Sequence, residues 1–185
     1  MAELASSFAK AQSNIEPSDE DWDNAPEAHQ AIANVLGEDE TLKQWGINPI
    51  LIGSYGRRVS IRRVYDVDMF CRLDDYPEGV TADEVLDRVY EVLLDAYDEE
   101  SVTREDRSVT VLVPDADGLY VDVVPAREAG SVWEIPTEDG EWIATNPVKM
   151  TELKEDKNAD FDEMYVPCVK LLRQARRTLL GKTKP

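Results

Sequence analysis

The sequence predicts a mixed α/β fold, in which a small sheet is covered on one side by helices within a single domain of 185 residues. Two observations predict it. Apolar residues recur at helical spacing in separate segments, as in Val85, Leu86, Val89 and Leu93. Other segments are short and rich in β-branched residues, such as SVTVLV and LYVDVVPA, and turn residues separate them. A chain of this length can bury a core of its own.

The local pattern gives the elements in order. Helices are predicted over residues 2–13, 18–36, 81–97 and 160–180, with a short helical turn after Gly53. Strands are predicted over residues 49–53, 63–73, 108–113 and 119–126, and a hairpin over 131–145. Thr81 and Glu84 form a capping box, and Pro26 kinks or restarts the second helix. We assign residues 1–47 to a helical segment that packs on the core, and residues 48–185 to the core itself.

The charge of the chain limits the classes of function. A formal net charge of −19 argues against general binding to nucleic acid, because such binding needs a basic surface. A nucleotide bound through metal ions stays open, since hard cations prefer carboxylates. No apolar run is long enough to span a membrane, and no secretory signal is readable. We therefore expect a cytoplasmic protein, with Cys71 and Cys168 as reduced core thiols and His29 as an exposed residue.

Two aspartates occupy one side of a predicted strand. Asp66 and Asp68 are two residues apart, so both side chains project to the same face, where their charges repel. A divalent cation would relieve the repulsion, and Asp122 in LYVDVVPA is the best third carboxylate in the chain. Three such groups could hold two Mg²⁺ ions, with Mn²⁺ as the alternative, for an in-line phosphoryl displacement. An Asp-x-Asp pair alone also occurs on edge strands without a function, so the prediction depends on the further signals around it.

A Gly-Ser turn precedes the aspartates. Gly53 and Ser54 follow a short apolar strand and open a helical turn, whose backbone N–H groups suit a triphosphate. Basic residues cluster directly after this turn: Arg57, Arg58, Arg62 and Arg63. The last helix carries a second basic stripe of Lys170, Arg173 and Arg177, opposite Val166, Val169 and Leu172. That stripe is either an ordinary solvated face or a phosphate-facing one.

Together these motifs resemble a known family. The pattern GSY-x-R-x-x-x-I-x-x-x-x-DVD, followed by VDVVPA, is similar to the nucleotidyltransferases of the polymerase-beta-like superfamily. Within it the chain most resembles bacterial cyclic-oligonucleotide synthases and the animal cyclic GMP-AMP and oligoadenylate synthetases. The segments EWIATNPVKM and YVPCVKLLRQAR are also similar to family segments, so the resemblance covers about residues 14 to 177.

The resemblance implies a site and a reaction. Asp66, Asp68 and Asp122 would be the catalytic, metal-binding triad. The residues that would contact the substrate triphosphates are Gly53, Ser54, Arg57, Arg58 and Arg173, the last standing where many members place a lysine. A nucleotidyl group would pass from a nucleoside triphosphate to a hydroxyl with release of pyrophosphate. The product would be a cyclic or linear oligonucleotide second messenger in defence against phage.

Two other functions remain open at this stage. One is a minimal nucleotidyltransferase that modifies a protein or an RNA end, as toxin–antitoxin relatives do. The other is a non-catalytic module that binds nucleotide.

The chain also departs from the family pattern. Arg58 and Val59 stand where members usually have glycine and threonine, and Arg58 either reshapes the phosphate loop or adds a phosphate contact. Members usually continue beyond the equivalent of Leu180 into a helical lobe, which is truncated or absent here. The chain would then be a fragment, a minimal enzyme completed by a partner protein or a second copy, or a protein without catalysis.

Overall fold

The computed structural model describes residues 2–114, 116 and 118–181. The helices in these ranges are α1 (Ala2–Ile15), α2 (Asp19–Glu38), α3 (Glu40–Gln44), α4 (Gly53–Gly56), α5 (Ala82–Ala96), α6 (Pro147–Asp160) and α7 (Tyr165–Leu180). The strands are β1 (Ile47–Leu51), β2 (Asp66–Leu73), β3 (Val102–Arg104), β4 (Val109–Leu112), β5 (Tyr120–Ala129), β6 (Val132–Pro136) and β7 (Trp142–Thr145). Among the described helices, none has the length and apolar character that a membrane crossing requires.

The strands form one mixed sheet. Its central order is β1-β2-β5-β4-β3, and β6 pairs with β5 while β7 pairs with β6. Within the described strands β2 and β5 are the parallel pair, and the other pairs are antiparallel. The predicted mixed α/β fold is therefore confirmed. The predicted turn between β4 and β5 falls partly outside the described residues, and the division of the chain at residue 48 stays a prediction.

One face of the sheet packs against helices. The side chains of β2 and β5 that point to it are fully buried, namely Val67, Met69, Cys71, Val121 and Val123. They share one core cluster with residues of α2 and α5: Ile32, Leu36, Leu86, Val89 and Leu93. We call this side of the sheet the apolar face. Its burial supplies most of the hydrophobic stabilisation that the alternating strand pattern predicts.

The long helices begin at polar caps. Thr81 and Glu84 form the predicted capping box of α5, and Ser18 forms a second one with Asp21 at the start of α2. Helix α2 runs through Pro26 without a break, so the helix does not restart there. Because Pro26 has no N–H, the carbonyl of Trp22 one turn earlier is left without its helical donor. The Tyr55 hydroxyl donates to that carbonyl at 2.6 Å.

Several other expectations about elements were wrong. The C-terminal helix is α7 alone, and α6 is a separate helix, because Asp162 and Glu163 adopt positive φ angles of 50° and 63° between them. Strand β2 begins at Asp66 and not at residue 63, after Arg63 at a φ of 62°. The short elements α3 and β3 were not predicted.

Two side-chain environments also differ from expectation. Cys71 is a buried free thiol as predicted, but Cys168 is exposed. His29 in α2 is half-buried against β1, where its ring donates a hydrogen bond to the carbonyl of Pro49.

Candidate active site

The parallel pairing of β2 and β5 brings three carboxylates together. Asp68 lies directly opposite Asp122, and Asp66 lies opposite Tyr120. All three aspartates point away from the apolar face, because their strand neighbours point into it. They line one cavity of about 710 Å³. We call this side of the two strands the acidic face.

The carboxyl of Asp68 is affected by the charges of both other aspartates on this face. Burial raises the pKa of its carboxyl above the ordinary value, and the charges of Asp66 and Asp122 raise it further. The Arg57 guanidinium and the backbone N–H of Ser54 act in the opposite direction. The site therefore disfavours three negative charges unless a cation joins them.

The carboxylates do not form a closed metal site as they stand. Within the described part of the chain, no three acidic, histidine or cysteine side chains are gathered tightly enough to hold an ion. One oxygen of Asp122 is also engaged, since the Thr110 hydroxyl donates to its Oδ1 at 2.5 Å.

The Gly-Ser turn lies against the same carboxylates. Gly53 has a φ of 64°, and a Cβ atom at this position would lie 1.6 Å from Oδ2 of Asp68. No other residue fits there without displacing the carboxylate, so the glycine lets the turn approach Asp68 closely. Ser54 is buried beside the cavity, and its hydroxyl is 3.1 Å from the hydroxyl of Ser60, which is also buried.

Two of the predicted substrate-binding arginines line the cavity and one does not. Arg57 comes from the turn and Arg173 from α7. Arg58 is exposed, has a positive φ of 56°, and is not among the described residues that line the cavity. The backbone here takes the left-handed conformation that favours the glycine of the family pattern. A phosphate contact by Arg58 stays a prediction that its position does not support.

Helix α7 is oriented differently from the predicted stripe. Lys170 is 5% exposed and donates to Oε2 of Glu16, directly after α1, at 2.6 Å, whereas Leu172 is 69% exposed. Arg173, Arg176 and Arg177 line the cavity. The basic side of α7 therefore faces α1 and the cavity.

Arg177 also fixes the segment before β2. Its Nη1 donates to the carbonyl of Arg62 at 3.1 Å, and its guanidinium lies 6.0 Å from the ring centre of Tyr65.

Sequence reasoning missed several residues of this region. Thr110 and Ser60 contact predicted site residues through their hydroxyls. Asp21 accepts the backbone N–H of Val64 at 3.1 Å, which joins the start of α2 to the segment entering β2. Counting the pairs of the predicted hairpin could have placed Thr110 opposite Asp122. Ser60 and Asp21 gave no such signal, because tertiary packing sets their partners.

A mixed sheet with three carboxylates on adjacent strands, beside a Gly-Ser turn, is the architecture of a polymerase-beta-like nucleotidyltransferase. The comparisons with known proteins agree. Residues 2–158 match the model of the Second Messenger Oligonucleotide or Dinucleotide Synthetase domain. The chain belongs to this family, which confirms the resemblance to bacterial cyclic-oligonucleotide synthases.

Individual relatives give the same result. The chain is 30% identical over 190 residues to a cyclic AMP-AMP-AMP synthase of Acinetobacter sp., an alignment that covers 96% of this chain and 53% of the relative. A cyclic UMP-AMP synthase of Rhodothermus marinus has a similar structure, with a TM-score of 0.74, 19% identity, and coverage of 97% of this chain and 69% of that one. A cyclic dinucleotide synthase of Elizabethkingia meningoseptica gives a TM-score of 0.76, 20% identity, and coverage of 95% and 66%. The chain thus spans about half the length of the Acinetobacter relative, and the two structural likenesses show the fold.

Proposed function

We propose that this chain carries the catalytic site of a magnesium-dependent nucleotidyltransferase that synthesises a cyclic or linear oligonucleotide second messenger. One observation carries the proposal: Asp66, Asp68 and Asp122 line a single cavity together with Ser54 and Arg57. Membership in the synthetase family supports it. Burial and the charges of Asp66 and Asp122 raise the pKa of Asp68, as expected for a carboxylate that would ligate a cation.

The donor set fits Mg²⁺. All three candidate ligands are carboxylates, which hard cations prefer, and a positive ion would relieve their repulsion. We propose that they hold two Mg²⁺ ions, with Mn²⁺ as a substitute. When bound, such ions would lower the pKa of the attacking hydroxyl and stabilise the charge on the leaving pyrophosphate.

The other cavity residues would bind and orient the nucleotides. The Ser54 hydroxyl, which is 3.1 Å from the hydroxyl of Ser60, would donate to a phosphate oxygen of the donor nucleotide. Arg57 and Arg173 provide positive charge on two sides of the cavity, one from the turn and one from α7. Fixed donors and charges of this kind accelerate transfer by orienting the triphosphate in line with the acceptor hydroxyl.

We further propose that this domain acts with a second lobe, from a longer form of the chain, a partner protein or a second copy, in the cytoplasm and in defence against phage. Exposed large apolar side chains on and between α6 and α7 support an additional cover, and they include Val148, Met150, Leu153, Phe161, Leu172 and Leu179. An apolar surface of this kind marks an interaction site more often than a free surface.

The proposal is tested with labelled nucleotides. The chain is incubated with Mg²⁺ and the four ribonucleoside triphosphates, singly and mixed, beside a variant carrying Asp66→Ala and Asp68→Ala. Pyrophosphate release with a phosphatase-resistant nucleotide product, absent from the variant, is the expected result. Label that appears on RNA or protein ends would favour the end-modifying enzyme instead. Nucleotide binding by folded protein without any product, also in the longest native chain, would favour the binding module and overturn the proposal.

A further inference from the structure

Thr110 contacts one member of the carboxylate triad directly. It lies on β4, opposite Asp122 on β5 in the antiparallel register, so the two side chains point to the same face. Its hydroxyl donates to Oδ1 of Asp122 at 2.5 Å, a short distance typical of a bond to an ionised carboxylate. Thr110 also lines the cavity that the three aspartates share.

We propose that Thr110 is the positioning residue of Asp122: it fixes the rotation of this carboxylate so that Oδ2 stays available for a metal ion beside Asp68. The inference rests on the proposed function, because it assigns Asp122 to a metal site. A hydroxyl that holds one oxygen of a ligating carboxylate sets the direction of the other oxygen, and such partners tune metal affinity.

The surroundings explain why a fixed orientation is needed. Asp68 lies directly opposite Asp122 in the parallel pair, and both carboxylates line the same cavity. The repulsion between the two groups favours rotation of Asp122 away from Asp68. Thr110 opposes this rotation because its β-branched side chain has few rotamers on a strand, so its hydroxyl is held in place by the backbone.

The neighbouring strand offers a matched control. Thr103 on β3 lies opposite Thr110 on the far side from Asp122, and it is exposed. The change from threonine to valine keeps the shape and the β-propensity at either position and removes only the hydroxyl. Thr103→Val therefore makes the same change one strand further from the triad.

The experiment measures Mn²⁺ binding by electron paramagnetic resonance, in which the free ion gives the signal. It compares the wild-type chain with Thr110→Val, Thr110→Ser, Thr103→Val and Asp122→Asn, and Thr110→Ala serves as a second hydroxyl deletion if the valine variant does not fold. We expect Thr110→Val to weaken the Asp122-dependent binding about 10-fold. Thr110→Ser, which keeps the hydroxyl but loses the β-branch, should bind more tightly than Thr110→Val and at most slightly more weakly than the wild type. Thr103→Val should bind as the wild type does.

The possible outcomes separate the two proposals. Binding by folded Thr110→Val that is as tight as in the wild type, or tighter, would overturn the role of Thr110 and leave the metal site standing. Equal weakening by Thr103→Val would show a general effect of the sheet and would also overturn it. A wild-type chain without any Asp122-dependent Mn²⁺ binding would overturn the metal site itself, and the role of Thr110 with it.

Discussion

The two faces of the β2–β5 pair are made by the same backbone, but one face is apolar and buried and the other carries carboxylates that line a cavity. On the apolar face, Val67, Met69 and Val121 are fully buried in the core. On the acidic face, Asp66, Asp68 and Asp122 line a cavity, and burial together with the charges of the other two aspartates raises the pKa of Asp68. The apolar face thus stabilises the fold, while the acidic face holds groups that destabilise it without a cation. Neighbouring residues of one strand should therefore respond to mutation in opposite ways.

The largest effects are expected from two single substitutions in β2, Asp68→Ala and Met69→Ala. Asp68→Ala should lower turnover at least about 10³-fold, because loss of a metal ligand removes several kcal/mol of transition-state stabilisation. It should not lower the melting temperature, since it removes a repelling charge. Met69→Ala should cost about 2–5 kcal/mol of unfolding free energy, because it opens a cavity in a fully buried site.

Turnover per folded molecule and chemical denaturation check this pair of expectations. Met69→Ala should keep its turnover per folded molecule. A folded Asp68→Ala variant with normal turnover would remove Asp68 from the proposed triad. A destabilised Asp68→Ala variant would show that the acidic face contributes to the stability of the fold.

Tyr55 links the two faces, and its hydroxyl gives the next largest effect. The residue belongs to the Gly-Ser turn, packs in the core cluster, and donates to the Trp22 carbonyl that Pro26 leaves free. Tyr55→Phe should cost about 1–2 kcal/mol of unfolding free energy, because a half-buried carbonyl loses its partner. Restoring an N–H with Pro26→Ala should rescue most of that loss in the double variant, as a thermodynamic cycle would show. Additive losses in the double variant would contradict this account of the proline.

A smaller effect, a gain in stability, is expected from replacing Arg58, which directly follows the Gly-Ser turn. Arg58 has a φ of 56°, a conformation that costs an L-residue about 1–2 kcal/mol. Glycine avoids this cost, but it loses more conformational entropy on folding, which offsets part of the gain. Arg58→Gly should therefore stabilise the protein by about 0.5–1 kcal/mol in thermal unfolding, with the same KM for nucleotide, because Arg58 lies outside the cavity. Arg57→Gly is the control that should raise KM, since Arg57 lines the cavity. A raised KM for Arg58→Gly would show that Arg58 contacts phosphate.

The sequence predicted the acidic face better than its surroundings. Strand periodicity alone places Asp66 and Asp68 on one side, and apolar neighbours predict the same for Asp122. The fold class followed from the same periodicities. The orientation of α7 did not, because the partner of the buried Lys170 is Glu16, which follows α1 and lies 154 positions away in the sequence. The break between α6 and α7 gave no signal either, since Asp162 and Glu163 are not the glycines that usually mark positive φ angles.

The burial of His29 was not predicted from the sequence, and this residue gives the smallest expected effect on stability. Burial lowers the pKa of its imidazole below the ordinary 6.5, although the hydrogen bond to the Pro49 carbonyl works in the other direction. Between the folded-state pKa and 6.5, the unfolded chain binds more protons at this residue than the folded chain does. Its contribution to stability is therefore complete above 6.5 and is lost as the pH falls through that window.

His29→Gln, which keeps a side-chain donor but does not titrate, isolates this contribution. Between about pH 7.5 and pH 5 the melting temperature of the wild type should fall more than that of the variant, because only the wild type loses stability through His29 on acidification. His29 lies on α2 against β1, away from the aspartates, so this comparison reports on the helix-covered side of the sheet alone. Equal pH dependence of the two proteins would mean that the ring is charged at no cost in the folded state, and that the helix-covered side of the sheet tolerates a charge there.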